Sequence, residues 1–158
     1  MNITLKCDKI DLENICTLGG KDLKIVVIDG QGGRIGKNII EEIKNSGMDL
    51  DIWAIGTNSI ATSVMLKAGA DYGATGENPI VVNARDADVI IGPLGIVIAD
   101  ALLGEVTPIM ATAVGQSRAE KFLLPVNKCR NHIVGIGDFT LSQMISSVIQ
   151  DIREMYKK

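Results

Sequence analysis

Aromatic side chains are scarce in this 158-residue chain: one Trp, two Tyr and two Phe make up 3 % of it. Proteins that grip single-stranded nucleic acid stack its bases on such rings, so that mode of binding is poorly supplied. Positive charge is short as well. Sixteen Lys and Arg stand against nineteen Asp and Glu, a net charge of −3 with no long basic run, which argues against a nucleic-acid partner held through its phosphates. One histidine, His132, and three cysteines, Cys7, Cys16 and Cys129, leave little material for a metal centre. Cys129 and His132 have a Cys-x-x-His spacing, but Cys7 and Cys16 stand too far apart for a zinc knuckle, and His132 opens a strand candidate, so no metal is expected. The same pair has no identifiable third member for nucleophilic catalysis. An odd cysteine count without an export signal points to free thiols.

Long apolar runs are also missing. The longest, 89–103, is broken by Gly92-Pro93 and by Asp100, and falls short of the roughly 20 residues a membrane helix needs. Residues 1–20 have charges spread through them and no apolar signal-peptide core. The expectation is a cytoplasmic protein with neither membrane nor nucleic-acid partners. Ile, Val, Leu and Ala must fill its core, and the length suits one domain.

What the chain does have is glycine, seventeen of them, several placed just after apolar segments. Residues 1–22 are polar and without helical periodicity, and read as an N-terminal extension. The compact pattern occupies 23–158. Strand candidates at 24–29, 50–56, 88–92, 121–126 and 132–136, with a weaker one near 71–74, alternate with helical stretches, which predicts a three-layer αβα Rossmann-like sandwich with a mostly parallel sheet. Ile25-Val26-Val27-Ile28 is apolar on both faces, as a strand covered by helices on both sides must be. Ile35, Ile39, Ile40 and Ile43 share one face of the first helix. Asn58 or Ser59 caps a second helix, Pro93 is expected to start a third ending near Gly104, and Thr107-Pro108 opens a fourth. Thr140 and Gln143 form a capping box for the last. Residues 79–85 fit a helix or a strand. Only 127–131 separate the last two strand candidates, too few for a parallel crossover, so an antiparallel edge strand is expected there.

The strand running into Asp29-Gly30-Gln31-Gly32-Gly33 and then a helix is how a phosphate site is built: unpaired N–H groups and the positive end of a helix dipole meet at one point. Ligands of open parallel sheets sit at the carboxyl ends of the strands. The other strand ends there are Gly56-Thr57-Asn58-Ser59, Gly92-Pro93-Leu94-Gly95 and Pro125-Val126-Asn127-Lys128. The candidate binding residues are therefore Gly30, Gln31, Gly32, Gly33, Thr57, Asn58, Ser59, Gly92, Asn127 and Lys128, with Arg130 a further positive charge. For Asn58 and Ser59 capping competes with binding, and for the glycines so does an ordinary turn. Asp29 is a weak candidate for a catalytic base, its rival role being to bind the turn amides beside it; Asp71 and Glu77 are further acids of unfixed position.

The spacing Gly30-x-Gly32-x-x-x-Gly36 exceeds the dinucleotide pattern by one residue, and Gly36-Lys37-Asn38 lacks the Ser or Thr of a magnesium-holding phosphate loop. The end of the second strand carries neither the acid that holds the ribose of NAD nor an arginine for the phosphate of NADP. The ligand class is thus a nucleotide or other phosphorylated small molecule, with NADP or another nucleotide open. The alternative is a non-catalytic oligomeric or regulatory module with structural glycine turns, in which Gly92-Pro93-Leu94-Gly95 and the run 94–103 serve packing or a homo-oligomer interface.

Residues 24–33, 56–62, 69–78, 92–104 and 124–129 together resemble a family of small uncharacterised proteins from anaerobic bacteria. The resemblance spans roughly 24–136, implies the domain limits given above, and implies no activity.

Overall fold

The computed structural model describes residues 23–126 and 131–156. Five strands, β1 (Ile25–Asp29), β2 (Ile52–Gly56), β3 (Tyr72–Thr75), β4 (Val89–Pro93) and β5 (Glu120–Leu124), alternate with helices α1 (Arg34–Asn45), α2 (Ser59–Lys67), α3 (Glu77–Asp86) and α4 (Pro108–Gln116). Helix α5 (Leu141–Tyr156) follows. The sheet runs β3-β2-β1-β4-β5, and every pairing is parallel. This is the Rossmann-like order, whose direction of winding reverses between β1 and β4.

All five residues of β1 and of β4 are buried, because helices cover both faces of these central strands. On one face Val27, Ile25 and Ile91 pack with Ile39, Ile40 and Ile43 of α1, Ala61 and Met65 of α2, and Ile145, Ile149 and Ile152 of α5. On the other, Val26, Ile28 and Ile90 pack with Ile80 and Ala84 of α3 and with Met110, Ala111 and Val114 of α4. Caps fix the helix starts. Asn58 accepts from Ala61 N–H (2.9 Å), Thr107 from Met110 N–H (3.2 Å), and Thr140 exchanges bonds with Gln143 as a capping box.

Two expectations are corrected and one open point is settled. Residues 132–136 form no strand: Gly135 takes φ 86° in a turn after a 94 % exposed Val134, so the antiparallel edge strand is not there and β5 stands as a parallel edge. The third helix is one 3₁₀ turn, Leu94–Val97, which gives way to tight turns because Asp100, Leu102, Leu103 and Gly104 all have positive φ, a conformation that cannot propagate a right-handed helix. The ambiguous stretch at 79–85 belongs to α3, with Pro79 in its first turn, where no N–H is needed. The weak strand candidate near 71–74 is β3.

Candidate functional site

The turn after β1 closes with a bond from Gly33 N–H to the Gly30 carbonyl (2.9 Å), and its Gln31 and Gly33 have φ of 50° and 65°. Gly33 is the left-handed N-cap of α1. It takes up the one residue by which the sequence exceeds the dinucleotide spacing. A Cβ at Gly33 would lie 2.7 Å from Ala61 Cα, and one at Gly36 would lie 3.1 Å from Asp29 Cβ and strike Met65. These two glycines let α1 pack close to β1 and α2, the task of the third glycine in the dinucleotide pattern. Gly32 is different: no atom lies within 4 Å of where its Cβ would stand.

Asp29, 3 % exposed, accepts hydrogen bonds from the N–H groups of Gly30 and Gly36, both at 2.8 Å. Its carboxylate thus ties down the turn and the first turn of α1. Burial pushes its pKa above the ordinary value; the Gly36, Gly30 and Ile35 N–H groups pull the other way, and the charge of Glu105 adds to the rise.

Glu105 is the residue that sequence reasoning missed. It lies in the segment between β4 and α4, and its Oε2 accepts from Gln31 N–H (2.8 Å), Thr57 Oγ1 (2.5 Å) and Asn58 Nδ2 (2.9 Å). Asn58 Nδ2 also donates to the Gln31 carbonyl (3.0 Å), while its Oδ1 caps α2, the capping role expected of it. A Cβ on Gly30 would come within 2.9 Å of Glu105 Oε2 and 2.7 Å of Thr57 Oγ1, which is why that position is glycine. Partial desolvation pushes the Glu105 pKa up, but the bonds from Thr57, Gln31 and Asn58 outweigh it and hold the pKa below the ordinary value. An acid in a long segment after a strand end was the available signal, since such segments carry function.

Gly30, Gln31, Gly32, Gly33, Thr57 and Asn58 are therefore gathered at one place. Ser59 is exposed on the first turn of α2. Gly92 is buried between strands, where a Cβ would lie 2.3 Å from the Ile28 carbonyl oxygen. Asn127, Lys128, Cys129 and Arg130 lie outside the described residues, as do Cys7 and Cys16. Asp71 is at the opposite end of the sheet, where it accepts from Ile52 N–H and pairs with Lys44. Glu77 accepts from Thr107 Oγ1 (2.5 Å), joining α3 to the start of α4. Among the described residues no cluster of three or more His, Cys, Asp or Glu is arranged to hold a metal, and no helix is long and apolar enough to cross a membrane.

A crevice of about 90 Å³ opens where the sheet reverses, lined by Asp29 to Ile35 on the β1 side, Pro93 and Gly95 on the β4 side, and Leu102 and Val126. A larger groove, about 680 Å³, lies between α3 and α4 and includes Arg85, Ile109 and Arg118. Its helical lining sets it apart from the strand-end turns.

Comparison with curated proteins gives no match. Among solved structures the chain is similar to a dodecameric FMN-dependent UbiX-like decarboxylase from Escherichia coli O157:H7, at 11 % identity and a TM-score of 0.39, over 86 % of this chain and 96 % of that one. Residues 24–157 match the family described as "Domain of unknown function (DUF3842)", and the chain belongs to that family.

Proposed function

We propose that the protein binds a nucleotide or another phosphorylated small molecule across the turn after β1. The observation that carries this reading is the crevice at the reversal point, where the N–H groups of Gly32 and Arg34 have no partner among the described residues and Gly32 leaves open space. Two N–H donors beside the start of α1 and the Arg34 guanidinium suit a phosphate. About 90 Å³ is far below the roughly 300–1,000 Å³ of a site that encloses a whole ligand, so only the phosphate enters the crevice and the remainder lies over the turn. Thr57 and Asn58 then face the sugar side; Asn127 and Lys128, expected from the sequence to close the pocket, lie outside the described residues.

Thermal unfolding in the presence of NAD(H), NADP(H), ATP, GTP, flavin nucleotides and S-adenosylmethionine tests the reading. A ligand at 100 times its Kd stabilises the fold by about 2.7 kcal/mol. At least one compound should raise the midpoint, and Gly32→Val should lose that shift while keeping the unliganded midpoint, because its side chain enters free space. No shift with any compound, or an undiminished shift in Gly32→Val, overturns the proposal. The second reading, an oligomeric or regulatory module, draws its support from the α3–α4 groove with its exposed Ile109. Native mass measurement distinguishes it.

A further inference from the structure

We propose that Glu105 is the acceptor for a ribose 2′,3′-diol, which makes the ligand a ribonucleotide with a free 2′-hydroxyl; this rests on the nucleotide reading above and narrows it. Dinucleotide folds place an acid at the tip of the second strand to hold the ribose hydroxyls. Here β2 ends in Gly56, Thr57 and Asn58 without an acid, but the structure brings one to that spot from the other side of the sheet's reversal point. The Glu105 side chain crosses the β1 turn and docks on Thr57 and Asn58.

All three of its hydrogen bonds fall on Oε2; Oε1 has no partner among the described residues. The carboxylate is consequently held in one orientation with a free acceptor, on the β2 side of a turn whose β4 side forms the crevice. A phosphate in the crevice and a sugar over Glu105 straddle the turn from opposite sides. An ionised carboxylate only accepts, so it pairs with two hydroxyl donors and repels a phosphate on the 2′-oxygen. NADP is thereby selected against, although the sequence of the β2 tip alone left it open.

The test uses the full chain and titrates AMP and GMP, their 2′-deoxy counterparts, and adenosine 2′,5′-bisphosphate. At least one ribonucleotide should bind. Its 2′-deoxy form should bind about 10-fold more weakly or worse, since a hydrogen bond to a charged group is lost, and the bisphosphate should be disfavoured at least as strongly. Glu105→Gln can still accept from Thr57, Asn58 and Gln31 through its amide oxygen but turns an NH₂ toward the diol. It should weaken the ribonucleotide about 10-fold and the 2′-deoxy form, which keeps only the 3′-hydroxyl, by less, so that the preference falls. The ligand pair measured on the unmodified protein keeps the test valid should the variant fold poorly. Equal binding of ribo- and deoxyribonucleotides, or a preference undiminished in Glu105→Gln, overturns the role of Glu105 while leaving phosphate binding intact. Absence of binding by every probe overturns both readings.

Discussion

Asp29 and Glu105 meet the same turn from opposite sides, and their surroundings drive their ionisation in opposite directions. The folded pKa of Glu105 lies below its ordinary 4.5, so its ionised form stabilises the fold above that value, and the contribution is lost as pH falls through the depressed pKa. The folded pKa of Asp29 lies above its ordinary 3.8. Its contribution favours the fold fully below about 3.8 and is lost as pH rises through the raised pKa, so the buried charge works against folding at neutral pH. Urea unfolding between pH 3 and 7 should show both signs. The stability difference between the natural protein and Glu105→Gln should be greatest near neutrality and close on acidification. Asp29→Asn should gain on the natural protein as pH rises. Differences that stay flat with pH would contradict these assignments. Neither effect was visible in sequence, because both depend on which amides and hydroxyls the fold turns toward each carboxylate.

At the level of elements, the glycines of this sequence divide into those that packing demands and those it does not. Gly92→Ala would drive a Cβ to 2.3 Å from the Ile28 carbonyl oxygen, a backbone atom that moves only if β4 separates from β1. Gly115, within α4, has nothing within 4 Å and no positive φ. The same substitution should therefore cost about 1–3 kcal/mol at Gly92 and raise stability by about 0.4–1 kcal/mol at Gly115. Chemical denaturation of the two variants checks the pair, and destabilisation at Gly115 as large as at Gly92 would refute it. The alternation of strands and helices was legible because β1 and β4 are apolar on both faces and because Asn58, Thr107 and Thr140 mark helix starts. The third helix and the sixth strand were misread for a shared reason. Ile-Val-Ile at 96–98 and Ile-Val-Gly-Ile at 133–136 have the composition of regular elements, while the left-handed residues at 100–104 and Gly135 that turn the chain leave no periodic mark. The half of the site built from consecutive residues, Gly30 to Gly33 with Thr57 and Asn58, could be read from strand ends. Glu105 carried only the weak signal of an acid after a strand end and could not be tied to that half, since its partners are 47, 48 and 74 residues away in sequence.

At the scale of the whole molecule, the described residues form two cores, one on each face of the sheet, and they are closed differently. The face carrying α3 and α4 is sealed by segments within the β–α alternation. The opposite face depends on α5, which sits beyond the last strand and inserts Ile145, Ile149 and Ile152 against Ile39, Ile40 and Ile43 of α1. Leu23, 5 % exposed, joins that same core. A chain of residues 23–158, which keeps both cores complete, should unfold in one cooperative transition. A chain ending at Thr140 should behave otherwise. Losing three buried isoleucines at about 1.5–3 kcal/mol each removes about 5–9 kcal/mol, against a total stability of about 5–15 kcal/mol for a typical domain, and it bares the apolar face of α1 to water. Far-UV and near-UV circular dichroism through thermal unfolding will compare the two truncations. A cooperative transition retained by 1–140, or lost by 23–158, would show that the domain is closed by something other than α5 and Leu23.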